Sequence, residues 1–89
     1  MNTLTDAEIR RYCTAQVFQR GQAYVQGGHV LAVAQQGNRL TASVQGSEYQ
    51  PYSVTIDLDA NGRPQRAECS CPYEGEGFCK HLVATLLAA

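Results

Sequence analysis

Apolar and polar positions follow a helical period over the first third of the chain, a strand period over the middle, and a helical period again at the end. Leu4 and Ile9 bracket Thr5-Asp6-Ala7-Glu8, a capping box inside a hydrophobic staple, and this predicts a short helix from about Asp6 to Cys13. From Ala15 to Gln26, Val17, Phe18, Gly21, Tyr24 and Val25 share one helical face, while Gln16, Gln19, Gln22 and Gln26 take the other. The phase of this second stripe differs from that of Ile9 and Tyr12, so a break is expected near Cys13 and Thr14. Thr14 is placed to cap the second helix and Gly27-Gly28 to end it. Gly21, inside the apolar stripe, would let another element approach closely.

After Gly28 the period falls to two. His29 to Gln35 and Arg39 to Gln45 flank the turn Gln36-Gly37-Asn38, and Gly46-Ser47 makes the next break. Tyr52, Val54, Ile56 and Leu58 alternate with Ser53, Thr55 and Asp57, and Pro51 marks either the start of this strand or a border with a sheet edge. Asp59-Ala60-Asn61-Gly62 turns the chain into a last strand through about Glu68. Connections this short favour antiparallel neighbours. The expected fold is therefore α+β, a four-stranded antiparallel meander with the N-terminal helices covering one face. Lys80 to Ala89 reads as a final helix running to the last residue without a capping glycine, as expected of a module within a longer polypeptide. The expected organisation is a single domain over 1–89, with a helical part (1–28), the meander (29–68), and the segment 69–89 containing the clustered cysteines and the final helix.

Composition narrows the function classes. Eighty-nine residues allow one domain, too small for several catalytic sites. A formal net charge of −1 and a pI near 6.0 argue against a dedicated nucleic-acid binder with a strongly basic surface, although a local basic face remains open. No run of apolar residues is long enough for a membrane span, and the N-terminus lacks the basic and apolar regions of a secretory signal; a cytoplasmic location follows as the expectation.

The chemistry concentrates near the end of the chain. Cys69-x-Cys71, seven residues, then Cys79-x-His81 supply three thiolates and one imidazole, a donor set that suits one Zn(II) ion per chain. Residues two apart point to opposite faces of a strand and lie about 200° apart around a helix, so neither pair converges from regular structure. Cys69 and Cys71 must leave the last strand and turn, aided by Pro72; Cys79 must lie outside the final helix and His81 in its first turn. The glycine-rich loop Pro72–Phe78 can curl around the metal. Two other readings stand beside this one. Disulfides could form from four cysteines, though Cys69 and Cys71 are too close to pair without strain. Cys79, near Lys80, His81 and a helix N-terminus, could instead be a reactive thiol of a redox or thiol enzyme.

Other candidates have simpler readings. Cys13 reads as a small buried apolar residue, and His29 as a surface or packing residue. Tyr12, Tyr24, Tyr49, Tyr52 and Tyr73 could stack on bases, but most read as core or core-edge rings; Arg10, Arg11 and Arg20 could form a basic patch on the N-terminal helices, a solvated face being the simpler reading.

Cys69-Ser70-Cys71-Pro72 and Phe78-Cys79-Lys80-His81-Leu82 resemble the SWIM zinc finger, whose pattern is Cys-x-Cys, a variable loop, then Cys-x-His. Phe18-Gln19-Arg20-Gly21-Gln22-Ala23-Tyr24 ahead of a β-rich segment also resembles bacterial SWIM proteins. The resemblance implies that Cys69, Cys71, Cys79 and His81 are the zinc ligands and that this unit has no catalytic activity, catalytic residue or small-molecule substrate. It also implies contacts with DNA or with another protein or domain, on behalf of a larger nucleic-acid-associated protein such as a Swi/Snf-type helicase-like ATPase. A protein partner would meet the exposed side of the meander or an edge strand near Pro51.

Overall fold

The computed structural model describes residues 4–46, 49–72 and 77–89. The helices are α1 (Asp6–Ile9), α2 (Ala15–Gln26) and α3 (Lys80–Ala88), and the strands are β1 (Val30–Gln36), β2 (Arg39–Val44), β3 (Tyr52–Leu58) and β4 (Pro64–Cys69). The architecture is α+β, with the strands in the order β1-β2-β3-β4 and every neighbouring pair antiparallel.

Local hydrogen bonds explain most of the boundaries. The Thr5 hydroxyl accepts from the Glu8 amide, and the Glu8 carboxylate accepts from the Thr5 amide, closing the capping box. The helix expected to reach Cys13 is shorter. α1 stops at Ile9 and tightens into a 3₁₀ turn, Arg10–Tyr12, before Cys13 becomes extended. The cause is the cap competing for the next turn, since the Thr14 hydroxyl accepts from the Val17 amide and starts α2 on a new phase. At the far end of α2, the His29 amide donates to the Tyr24 carbonyl and the Gly28 amide to the Val25 carbonyl. This Schellman arrangement requires the left-handed φ of +75° found at Gly28.

The core lies between one sheet face and the helices. Leu40, Ala42 and Val44 of β2 and Val54, Ile56 and Leu58 of β3 point inward and are buried, with Thr41, Ser43, Ser53 and Thr55 between them. Opposite them lie Ile9, Val17, Phe18, Leu82, Val83 and Leu86. The N-terminal helices are not the layer nearest the sheet. α3 comes close to all four strands, and α1 and α2 pack against α3. Its composition accounts for this, because His81 through Leu86 are all buried and a helix apolar on every side belongs in the interior. Gly21 makes the expected close approach, and the element it meets is α3 at Val83 and Ala84.

Three further expectations are narrowed. β3, which Pro51 precedes, is an interior strand, so the sheet edges are β1 and β4; the proline marks a strand start. Tyr49 is 95% exposed and belongs to no core. Cys69 is the last residue of β4, one position further than the strand was expected to run. The expected curl of the loop after Pro72, and the reading of Tyr73, lie outside the described residues. Among the described residues, no helix is long and apolar enough to cross a membrane.

Candidate metal centre

Cys69, Cys71, Cys79 and His81 come together where β4 ends and α3 begins, with one ligand atom from each lying within 4.8 Å of all the others. Cys69 closes β4, and the chain then turns at Ser70, whose amide donates to the Ser53 carbonyl while its hydroxyl accepts from the Ser53 amide. Those two bonds to β3 hold Cys71 beyond the end of the ladder. On the returning side, the Phe78 amide donates to the Tyr12 carbonyl and the Phe78 ring stacks on Tyr12 at 5.2 Å. Cys79 follows as the N-cap of α3, and His81 sits in the first helical turn. The helix entry is as the sequence spacing requires, and Cys71 has left the strand, but Cys69 is still its last residue, paired with Val54, so the turn falls between the two cysteines and not before both.

The donor geometry suits zinc. Nδ1 of His81 lies 3.7 Å from the Cys69 sulfur and 3.8 Å from the Cys79 sulfur. Zn–S and Zn–N bonds of about 2.3 and 2.05 Å at tetrahedral angles put a sulfur and a nitrogen ligand about 3.6 Å apart. Cys79 and His81 are 4% and 3% exposed, while Cys69 and Cys71 are half-buried. Among the described residues Nε2 of His81 is buried without a hydrogen-bond partner.

The electrostatics of the bare sulfurs are uneven. A hydrogen bond from Cys69 holds the Cys79 thiol well below its ordinary value, and bonds from His81 and the Leu82 amide add to this against the cost of burial. Cys69 is pushed upward, first because it donates to Cys79 and then by its own burial. Such a cluster is ready to exchange thiol protons for a cation, which needs its sulfurs as thiolates. A cleft of about 230 Å³ opens beside it, lined by Arg20, Lys80, Tyr52, Cys71, Cys79 and Pro72 among others.

Residues 52–89 match the SWIM zinc finger family. This segment is similar to SWIM zinc fingers. The finger is a zinc-binding module with a Cys₃His cluster suited to one zinc ion, and no catalytic family is indicated. The chain is also 39% identical over 49 residues to "Uncharacterized protein Rv2102" of Mycobacterium tuberculosis (strain ATCC 25618 / H37Rv). That alignment covers 55% of this chain and 18% of the relative, so the chain spans only a fraction of that relative's length. No solved structure matches.

The remaining candidates fall outside the finger's sulfur cluster. Cys13 is half-buried, its thiol directed at the Ile9 carbonyl at 3.7 Å, and burial raises its pKa. His29 stacks on Tyr24 and places Nδ1 3.2 Å from the Gln45 carbonyl oxygen, which fits a packing role. Tyr24 and Tyr52, read from sequence as core-edge rings, pack against His81 itself. Gly46 completes that environment, and its sequence signal was only a break after a strand.

Proposed function

We propose that Cys69, Cys71, Cys79 and His81 are the four ligands of one structural zinc ion, and that residues 1–89 act as a single non-catalytic interaction module of a larger nucleic-acid-associated protein, in the cytoplasm. The observation that supports this reading is the convergence of three sulfurs and one imidazole nitrogen within 4.8 Å of one another, with the two His81-to-sulfur distances of 3.7 and 3.8 Å near the tetrahedral value. The ion supplies a cross-link between the end of β4 and the start of α3. The protein groups hold it, and none of them is asked to move a proton or attack a substrate.

Between the two partner classes, the charge distribution favours DNA. No Asp or Glu occurs between Glu8 and Glu48, and neither α2 nor α3 contains one. Arg10, Arg11 and Arg20 lie in the helical layer with Lys80, where the acids are Asp6 and Glu8 of α1 and Glu8 faces Arg63 at 3.8 Å, whereas Arg39 pairs with Asp57 at 2.8 Å on the sheet. Four phosphate contacts would give a log–log salt slope of up to about −3.6 for duplex DNA. Titration of duplex and single-stranded DNA across salt concentrations tests this. Arg11→Ala and Arg20→Ala are each expected to weaken binding and lower the slope by about 1. Absence of affinity even at low salt would reject DNA and leave a protein partner, whose capture should survive nuclease treatment.

The thiol-enzyme alternative draws support from the lowered Cys79 pKa. Against it stand the burial of Cys79 and the two further sulfurs at its side, which a single nucleophile does not need. Alkylation separates the two readings. Zinc-bound thiolates become reactive after chelation, and an activated free thiol reacts without it.

A further inference from the structure

A metal-ligating histidine commonly donates its second ring nitrogen to a carboxylate, a carbonyl or a water, which fixes the plane of the imidazole. His81 lacks that device among the described residues, since Nδ1 faces the sulfurs and Nε2 is buried without a partner. Aromatic rings occupy the space. The Tyr52 ring lies 4.6 Å from the imidazole centroid at an interplanar angle of 46°, and the Tyr24 ring meets it edge-on at 5.5 Å and 66°. Tyr24 is itself held by His29 stacked at 4.7 Å and by the Lys80 ammonium 5.0 Å over its ring. Gly46 closes the remaining side. A Cβ there would run into Cε2 of Tyr52 and reach within 3.1 Å of Nε2 of His81. The φ of Gly46 is outside the left-handed region, so the position requires the missing side chain and not an unusual backbone angle.

We infer that Tyr24 and Tyr52, with the space left by Gly46, form an aromatic clamp that holds the His81 imidazole facing the metal by ring packing, where no described residue hydrogen-bonds its second ring nitrogen. They are positioning residues of the zinc centre, and the inference rests on the zinc assignment proposed above. Turning the imidazole about its Cβ–Cγ bond carries Nδ1 away from the sulfurs, and rings packed against it resist that turn. Release of the ion requires such ligand detachment, so the clamp acts on the release rate. Tyr24 and Gly46 lie outside the segment 52–89. The metal centre thus extends beyond the finger, into α2 and the stretch after β2.

The test uses the full chain loaded with zinc, mixed with excess chelator, together with the absorption spectrum of the Co(II)-substituted protein. Tyr52→Leu and Gly46→Ala are expected to release zinc about ten-fold or more faster than the unaltered chain and to shift the Co(II) ligand-field bands. Tyr52→Phe should retain the original rate and spectrum, because the ring and not the hydroxyl packs on His81. Ile9→Val trims the core on α1 and serves as a control for lost stability; it should leave release unchanged. Tyr24→Phe and Tyr24→Leu repeat the contrast on the other ring, should Tyr52→Leu fail to fold. The clamp is overturned if Tyr52→Leu and Gly46→Ala match the unaltered rate and spectrum, or if Ile9→Val accelerates release as much as they do. A chain that takes up no zinc at all defeats the zinc assignment instead, and this is seen before any variant is compared.

Discussion

Cys79 and Cys69 share one proton unequally. Cys79, stabilised as the thiolate by Cys69, His81 and the Leu82 amide, is deprotonated first, while Cys69 keeps its proton through neutral pH. Zinc binds thiolates, so its uptake must displace at least the Cys69 proton. Uptake should therefore acidify a weakly buffered solution, and zinc affinity should fall as pH is lowered below neutrality, because protons then compete for the sulfurs. Titration calorimetry in buffers of different ionisation enthalpy reads both effects; a pH-independent affinity would contradict the assignment. In the same assay Cys69→Ser and His81→Ala should abolish tight binding. Cys13→Ala should leave the stoichiometry unchanged, since burial keeps that thiol protonated and it faces the Ile9 carbonyl.

Among the elements, α2 and α3 meet closely at Gly21. A Cβ on Gly21 would lie 2.6 Å from Cγ1 of Val83 and 3.3 Å from the Ala84 amide nitrogen. Gly21→Val therefore forces the helices apart, and a loss of about 2–3 kcal/mol is expected, read as a lower denaturation midpoint. An unchanged midpoint would show that the helices are not packed this closely. The same element scale explains what could be read from the residues alone. Caps at Thr5 and Thr14, the exit at Gly28 and the turn at Asp59–Gly62 are local hydrogen-bond patterns, so they are legible without knowledge of the fold. The meander follows from its short connections. The central position of α3 was not legible, because it depends on which helix best fills the space above the sheet. Three sulfurs and one imidazole announce the metal centre by spacing, whereas the clamp joins Tyr24, Gly46 and Tyr52 across the chain and leaves no periodic trace.

For the whole molecule, the zinc centre sits at the hinge between the sheet and the helix that packs on all four strands. Apparent zinc-binding energies in small finger peptides reach about 10–16 kcal/mol, against about 5–15 kcal/mol for the net stability of an entire domain. Removal of the ion should therefore unseat α3 and loosen the core it fills. Amide exchange after chelation is expected to lose protection first along Lys80–Ala88 and β4; retained protection there would show that the fold does not need the metal. The most direct measurement of the central claim is elemental analysis of the purified full chain under non-oxidising conditions. The account predicts one zinc per chain, and finding no bound metal, or finding Cys69, Cys71 and Cys79 oxidised in the native protein, would contradict it.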